Sequence, residues 1–301
     1  MSMRQRSKNF LALTFIALVS AASAEASASR TFVATTGSDA NTATNCGATT
    51  PCRTFGSALS VTNPGGELVV INSGGYGPAT ISESVAITAI GIDASISVTT
   101  SGGTGLAIAT SGDVTIVGLN LHGEAAGANG IKVTEVNYLR VYNVTIENFT
   151  NDGIEFNADG KIALYNSTID LNTQNGFQLQ SGLAYVSNTD FDDNGHGVEV
   201  DGASVAEIVD STANLNFGGF FANFGGTINL FNDRVTFNNV GLVTGGTGAA
   251  ALNFAYCFIA SNATAYSIGS GTTIAGSNPG TSVIASGQTR TGTLSTGQVL
   301  E

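Results

Sequence analysis

The strongest constraint on the fold is a sequence repeat across residues 129–262. A glycine followed by an apolar residue recurs six times in this stretch, at Gly130, Gly153, Gly176, Gly197, Gly219 and Gly241. A period of about 20 to 25 residues is typical of a solenoid, in which each unit is one supersecondary element and stacks on its neighbours. The repeat therefore predicts one elongated stack of similar units.

Each unit contains three short runs in which apolar and polar residues alternate. In the unit that begins at Gly153, these runs are residues 153–156, 162–165 and 167–170. Alternation on this scale predicts β-strands, and no unit holds an apolar pattern long enough for a helix. We therefore predict an all-β fold, a single-stranded right-handed parallel β-helix of about ten rungs. Each rung has ~22 residues and three short strands, and lies ~4.8 Å from the next.

Alignment of the units predicts three interior stacks of apolar side chains. Burial of each such side chain contributes about 1.5–3 kcal/mol, which makes these stacks the main source of stability. The stacks contain Ile131, Ile154, Phe177, Val198, Phe220 and Leu242; Val141, Leu164, Val186, Ile208, Leu230 and Phe254; and Ile146, Ile169, Phe191, Ala213, Val235 and Ile259.

Two polar ladders are predicted at the corners of the rungs. Asparagine tolerates the left-handed backbone that a sharp corner needs, and its amide can bond to the asparagine one rung away. We interpret both ladders as structural. They contain Asn143, Asn166, Asn188, Asp210 and Asn232; and Asn172, Asn194, Asn216, Asn238 and Asn262.

Residues 1–24 are predicted to be a secretory signal peptide. A basic start (Arg4, Arg6 and Lys8) precedes the apolar residues 10–19, and small residues follow at 22–24. The apolar run is too short to span a bilayer, so we expect a secreted or periplasmic protein without a membrane span. Removal of this segment, which carries three of the ten basic and none of the 22 acidic residues, changes the formal charge from −12 to −15. Such a charge argues against nucleic acid as a partner.

The remaining chain divides into three predicted segments. Residues 25–66 form a leader and N-terminal cap, residues 67–276 the β-helix, and residues 277–301 a C-terminal cap and tail. An exported protein favours a disulfide between Cys46 and Cys52 in the leader. Cys257 occupies a column of mostly small residues, and we expect it to be semi-buried.

The opening of the chain carries a family resemblance. Residues 31–40 (TFVATTGSDA), 51–55 (PCRTF) and 65–71 (GGELVVI), with the later Asn-x-Thr-Ile and Asn-Gly-Ile phrases, resemble secreted bacterial proteins with right-handed parallel β-helix repeats and a pectin-lyase-like fold. The resemblance implies the fold. It does not select an activity, because that superfamily includes lyases, hydrolases and adhesins.

The outer face of the second strand is one candidate binding surface. Tyr142, Tyr165 and Tyr185 lie on three consecutive predicted rungs, and Arg140 faces outward beside them. A tyrosine ring offers an apolar plane and a hydroxyl, which suits a sugar ring. The alternative is that the tyrosines stack on each other and only stabilise the sheet.

The outer face of the third strand is a second candidate, because Glu147, Asp170 and Asp192 share one column with Asp190 beside them. Like charges stacked on a parallel sheet are destabilising unless they are neutralised. A solvated acidic stripe, a calcium site and a catalytic carboxyl pair at Asp170, Asp190 and Asp192 are the three interpretations. No cofactor other than calcium is expected.

One group of residues resembles the signatures of polygalacturonase-type glycosidases, namely residues 188–190 (NTD), 192–193 (DD) and 195–197 (GHG). In that family the signatures lie on different rungs, whereas here they fall within one. His196 and His122 are therefore interpreted as turn residues, and Lys132 is expected to form a surface ion pair with Glu155.

The sequence thus favours an exported β-helix protein that binds a polysaccharide or cell-surface glycan without catalysis. A polysaccharide lyase or glycoside hydrolase that acts on the outer face is the first alternative, and a structural or adhesin-like rod is the second. The sequence leaves the ligand and the oligomeric state open.

Overall fold

The chain folds into a right-handed parallel β-helix in a computed structural model that describes residues 28–276, 282–284 and 288–294. The strand pairings between rungs in these residues are parallel, and each complete rung contributes a first, a second and a third strand. The all-β solenoid predicted from the repeat is confirmed. The predicted signal peptide lies outside the described residues.

The strands fall into three stacks, and two long strands run through the first and second stacks without a break. The first strands are Ala79–Ile81, Thr104–Ala109, Asn129–Glu135, His196–Val200, Gly218–Asn223, Val240–Gly245, Thr264–Ile268 and Thr289–Thr291. The second strands are Ala28–Val33, Thr62–Val70, Val85–Thr88, Asp113–Val117, Tyr138–Tyr142, Val205–Val209, Thr227–Phe231, Ala251–Ala255 and Thr273–Gly276. The continuous strands are Ile154–Tyr165 and Asn175–Ser187. The third strands are Gly74–Gly75, Ala94–Ser97, Leu119–His122, Thr145–Glu147, Thr168–Asp170, Asp190–Asp192, Thr212–Asn214, Arg234–Thr236, Phe258–Ala260 and Val283–Ile284.

In the observed strand register, the residues of each predicted interior column lie directly above one another. Ile131 pairs with Ile154 and Ile154 with Phe177, and the other two columns are aligned in the same way. Every member of the three columns is at most 3% exposed. The three interior stacks are therefore confirmed as the core.

The repeated glycine is explained by the close approach of successive rungs. A Cβ atom added at Gly176 would lie 2.7 Å from the carbonyl oxygen of Gly197, the equivalent glycine of the next rung. Real Cβ atoms do not approach a backbone oxygen so closely, so the position excludes larger residues.

The two polar ladders differ in how they turn the chain. Asn143, Asn166, Asn188, Asp210 and Asn232 all have positive φ, as predicted. In the second ladder the asparagines are buried, and the left-handed residue is the one before: Leu171, Leu215 and Phe237 have φ of 57°, 59° and 58°. The prediction that these asparagines occupy the left-handed corner is therefore wrong.

The buried asparagines instead join consecutive rungs through their amides. Asn216 Nδ2 donates to Asn238 Oδ1 over 3.0 Å, and Asn238 Nδ2 donates to Asn262 Oδ1 over 3.0 Å. Each amide also bonds to backbone groups of neighbouring rungs, as in the bond from Asn216 Nδ2 to the carbonyl of Phe191. The second ladder is an internal hydrogen-bonded stack, which requires the side chain to point inward.

The N-terminal end is closed by a short 3-10 helix, Asp39–Thr44, and an α-helix, Phe55–Leu59. The predicted disulfide between Cys46 and Cys52 is present in this cap. Parallel pairing begins in the strand Ala28–Val33 and reaches Thr289–Thr291, so it extends beyond the predicted β-helix at both ends. Cys257 is 1% exposed, which is a deeper burial than the semi-buried position predicted for it.

Among the described residues, no helix has the length and hydrophobicity needed to cross a membrane.

Candidate functional site

Three outer faces of the β-helix carry polar or aromatic side chains in register. The second-strand face contains Tyr142, Tyr165, Tyr185, Glu207, Asn229, Phe231 and Asn253. The third-strand acidic column contains Glu147, Asp170 and Asp192. The first-strand polar network contains Asp152, Asn175, His196 and Glu199. The parallel register aligns equivalent side chains on successive rungs, so a short sequence pattern becomes a continuous surface.

On the second-strand face, the tyrosines form a contiguous aromatic ladder. The rings of Tyr142 and Tyr165 are 5.0 Å apart and nearly parallel, with an interplanar angle of 7°. Tyr165 and Tyr185 are 5.8 Å apart and tilted by 47°. The structure thus brings together the three tyrosines that the sequence nominated.

Arg140 lies on the same strand as Tyr142 but has partners of its own. Its Nη1 is 3.2 Å from Asp113 Oδ2, and its guanidinium lies 3.8 Å from the ring centre of Tyr138. The cation is therefore neutralised and stacked at the edge of the aromatic ladder.

Below Tyr185 the same face opens into a concavity with a volume of 580 Å³. Tyr185, Glu207, Asn229 and Asn253 follow one another in register along it, and Phe231 lines the neighbouring column. Asn253 Nδ2 donates to Asn229 Oδ1 over 2.9 Å. The sequence analysis missed these four residues below Tyr185, although their alternating positions in the strands that follow Tyr185 were a visible signal.

The third-strand acidic column has the predicted register, in which Glu147 pairs with Asp170 and Asp170 with Asp192. Burial, and then the charges of Glu147 and Asp192, raise the pKa of Asp170 to about 6. Burial also raises the pKa of Asp192, with Asp190 contributing. The Oδ1 atoms of Asp170 and Asp192 are buried and lack a hydrogen-bond partner. These carboxyls hold protons more strongly than free ones.

Glu147, at the top of this column, is engaged with His122, whose Nδ1 lies 2.7 Å from Glu147 Oε1. Within the described residues, no group of three or more histidine, cysteine, aspartate or glutamate side chains is arranged to hold a metal ion. Calcium at Glu147, Asp170, Asp190 and Asp192 stays a prediction. His122 ends a strand, so its interpretation as a turn residue is wrong.

The first-strand polar network links three consecutive rungs through side-chain hydrogen bonds. Asn175 Nδ2 donates to Asp152 Oδ1 over 2.9 Å, and His196 Nδ1 lies 3.0 Å from Asn175 Oδ1. Burial raises the pKa of Asp152 to about 6 and lowers the pKa of His196. His196 begins a strand and is mostly buried, because an imidazole fits above Gly218, so its interpretation as a turn residue is wrong as well.

Two other observations complete this face. Lys132 Nζ lies 2.8 Å from Glu155 Oε2, which confirms the predicted ion pair. Burial, and then the charge of Glu199, raise the pKa of Asp201 to about 6. Perturbed carboxyl and imidazole groups in one region are typical of functional sites, although structural networks produce them too. Sequence reasoning missed this network because the residue type changes from rung to rung, although Asp152, Asn175 and His196 each directly precede a repeated glycine.

Comparison with known proteins agrees with this architecture. A family described as right handed beta helix region matches residues 79–254. Among solved structures, the chain is similar to the pectate lyase Pel9A, with 15% identity, a TM-score of 0.63, and coverage of 85% of this chain and 78% of that chain. It is also similar to the A-module of the Azotobacter vinelandii mannuronan C-5 epimerase AlgE6, with 13% identity, a TM-score of 0.54, and coverage of 72% and 80%. No curated protein sequence matches.

Proposed function

The chain belongs to the right-handed β-helix family, and from that premise we propose that it is an exported protein that binds a polysaccharide or cell-surface glycan on its second-strand face. The observation that carries this proposal is the continuity of that face. Three stacked tyrosines lead directly into the 580 Å³ concavity, without a break in the strand register.

The chemistry of the face suits a sugar chain. Aromatic planes stack on the apolar face of a sugar ring, while amide and carboxyl groups bond to its hydroxyls. Tyr185 and Phe231 supply exposed ring planes, whereas Tyr142 and Tyr165 stack on each other and supply ring edges and hydroxyls. Glu207, Asn229 and Asn253 supply the polar groups. Ligand sites in proteins combine a concave surface with a few polar groups in this way. Repetition along the rungs gives the face the length that a polymer needs.

Two further observations support a glycan partner and export. The solved structures to which the chain is similar include a pectate lyase and a mannuronan C-5 epimerase, proteins named for polysaccharides. At identities of 13 to 15%, that likeness shows the fold alone. The Cys46–Cys52 disulfide is typical of proteins that leave the reducing cytosol.

A glycan-array screen of the chain, followed by titration of the best polysaccharide, tests this function. Tyr165→Ala and Asn229→Ala should each weaken binding by about tenfold, since each removes a contact of about 1–1.5 kcal/mol. Phe237→Ala provides a matched control, because Phe237 is an exposed aromatic residue on a different face. Loss of binding in the control alone, or no binding to any glycan, would contradict the proposal and favour the structural rod.

A second candidate function is carbohydrate-active catalysis on the third-strand acidic column. The observation that favours it is the pair Asp170 and Asp192, one rung apart, in which both pKa values are raised. A carboxyl with a raised pKa can act as a general acid, and a second carboxyl at ~5 Å suits a retaining glycosidase. Asp190 lies on the same strand as Asp192.

Release of reducing ends or unsaturated products from the same polysaccharides tests this alternative. If the column is catalytic, Asp170→Asn and Asp192→Asn should each lower turnover by at least about a hundredfold. Asp159→Asn, an exposed carboxyl elsewhere, should leave turnover unchanged. Binding without any product would exclude catalysis on that substrate.

A further inference from the structure

A second concavity, with a volume of 410 Å³, lies at the corner between the third and first strands. It is separate from the second-strand face and borders the first-strand polar network. Its lining consists of Thr173, Gln174, Asn175, Gly195, His196, Glu199 and Phe217. We call it the His196 pocket.

The backbone N–H groups around this pocket are already used. Those of Thr173 and Gln174 donate to carbonyls of the preceding rung, and that of Asn175 donates to Asp152 Oδ1. The N–H groups of Gly195, His196 and Phe217 donate to the carbonyls of Asn172, Gln174 and Asn194. The pocket therefore has no anion-binding array of free N–H groups of the kind that phosphates and carboxylates need.

Each amide side chain of the lining donates one of its two N–H hydrogens inside the protein. Gln174 Nε2 donates to Asn151 Oδ1 over 3.2 Å, and Asn175 Nδ2 donates to Asp152 Oδ1 over 2.9 Å. Gln174 keeps its side-chain carbonyl oxygen as an acceptor, together with the second N–H of its NH2 group.

His196 adds another acceptor. Asn175 Oδ1 must be the oxygen next to His196 Nδ1, because Asn175 Nδ2 is committed to the carboxylate of Asp152. His196 Nδ1 therefore carries the proton and donates, which leaves Nε2 with a free lone pair in the neutral ring. Burial lowers the pKa of His196 and so favours this neutral form at neutral pH.

Glu199 supplies the negative charge of the His196 pocket. Its side chain is only 13% exposed, and its Oε1 accepts a 2.9 Å hydrogen bond from Asn223 Nδ2. Its Oε2 lies 3.8 Å from His196 Nδ1, beyond hydrogen-bond distance, and so retains acceptor capacity. The described lining residues include neither lysine nor arginine.

Phe217 forms an apolar wall of the pocket and is 64% exposed, although it meets the His196 ring edge-on at 6.3 Å. An exposed aromatic face next to a carboxylate is the usual setting for an organic cation, which gains from the ring quadrupole and from the negative charge together.

We propose that the His196 pocket binds a protonated primary amine. An ammonium group has three N–H donors and no acceptor, and it complements the three acceptors of the pocket, which are a carboxylate, an imidazole nitrogen and an amide oxygen. Glu199, His196 Nε2 and the Gln174 carbonyl receive its hydrogens, and Phe217 covers its carbon chain. The formal net charge of −12 adds a favourable field for a cation.

NMR titration of the full chain tests this assignment with three small probes of similar size. Butylammonium should shift the backbone amides of Gly195 and Phe217 in a saturable way. Butanol lacks the charge and should not produce these shifts. Tetramethylammonium keeps the charge but lacks the N–H donors, so it should bind at least about tenfold more weakly than butylammonium. Equal binding of butanol would show an apolar pocket, and equal binding of tetramethylammonium would show a merely acidic surface; either result would overturn the proposal.

Two matched variants complete the test. Glu199→Gln keeps an oxygen for Asn223 but turns an N–H donor toward the pocket, and should weaken butylammonium binding by about tenfold or more. Glu135→Gln removes the same charge from an exposed position outside both concavities and should bind as the unmodified protein does. Unchanged affinity in Glu199→Gln would refute the role of the carboxylate. Spermidine and a glucosamine trisaccharide, titrated in parallel, distinguish an aliphatic polyamine from an amino sugar as the source of the ammonium group.

Discussion

Replacement of the buried Asp233 by asparagine should change how the stability of this protein depends on pH. Asp233 is 1% exposed and follows Ser211 in an interior column. Its Oδ1 accepts a 2.7 Å hydrogen bond from the Ser211 amide, while its Oδ2 is buried without a partner. Burial is the main cause that raises the pKa of Asp233 from 3.8 to about 8, and the charge of Asp210 adds to it.

The sign of the effect follows from proton linkage. Between pH 4 and pH 8 the folded protein holds a proton on Asp233 that the unfolded chain has released. The free energy of unfolding therefore falls by about 1.4 kcal/mol per pH unit in this range, through this group alone. The protonated Asp233 makes its full contribution to the free energy of unfolding below about pH 4. By pH 7 this contribution has fallen by about 4 kcal/mol.

Asp233→Asn removes the titration but keeps an oxygen to accept from Ser211. Its advantage over the unmodified protein should be small at pH 4 and should grow to about 4 kcal/mol at pH 7. Urea unfolding of both proteins at each pH unit measures this difference directly, and Asp159→Asn is the exposed control. A difference between the two proteins that is constant from pH 4 to pH 7 would refute the burial argument.

Three further predictions concern the framework. Asn216→Ala should lower the free energy of unfolding by about 3–5 kcal/mol, because it leaves the buried Asn194 N–H and Phe191 carbonyl unpaired. Asn188→Ala in the exposed ladder should lower it by only about 1 kcal/mol. Chemical denaturation compares the two variants. Phe177→Ala should cost about 3–5 kcal/mol in the same assay, since it opens a cavity in the core. A double serine variant of Cys46 and Cys52 should lose about 2 kcal/mol, and reduction should produce the same loss in the unmodified protein but none in the variant.

Much of the fold could be predicted because a solenoid is nearly one-dimensional. Each rung contacts only the rungs above and below, so aligning the repeats also aligns the residues in space. For this reason Ile131, Ile154 and Phe177 could be assigned to one column before any coordinates, and the tyrosine ladder could be nominated as well. The conformation of the second ladder could not, because Leu171 and Phe237 are residue types that rarely occupy the left-handed region.

The repeat did not predict the shape of the candidate sites or the contacts within them. The sequence identified Tyr185 but not the concavity below it, since the depth of a face depends on the path of the turns around it. It identified His196 but placed it in a turn, whereas Asn175 and the space above Gly218 hold the ring at the start of a strand. Aligning the repeats shows which positions stack, but it does not show which of the unlike side chains at those positions form hydrogen bonds.

By itself, the sequence determined the periodic framework of this protein: the rung, the three interior columns, the exposed asparagine corners and the disulfide. Alternation and repeat length encode the repeated features locally, and the parallel register copies them from rung to rung, whereas the two cysteines of the cap indicate the disulfide. Only the tertiary structure decided which outer faces are concave, which carboxyls are buried deeply enough to retain protons, and which hydrogen-bond donors remain free. Those properties depend on how several rungs together exclude solvent, and the sequence of a single repeat does not specify that exclusion.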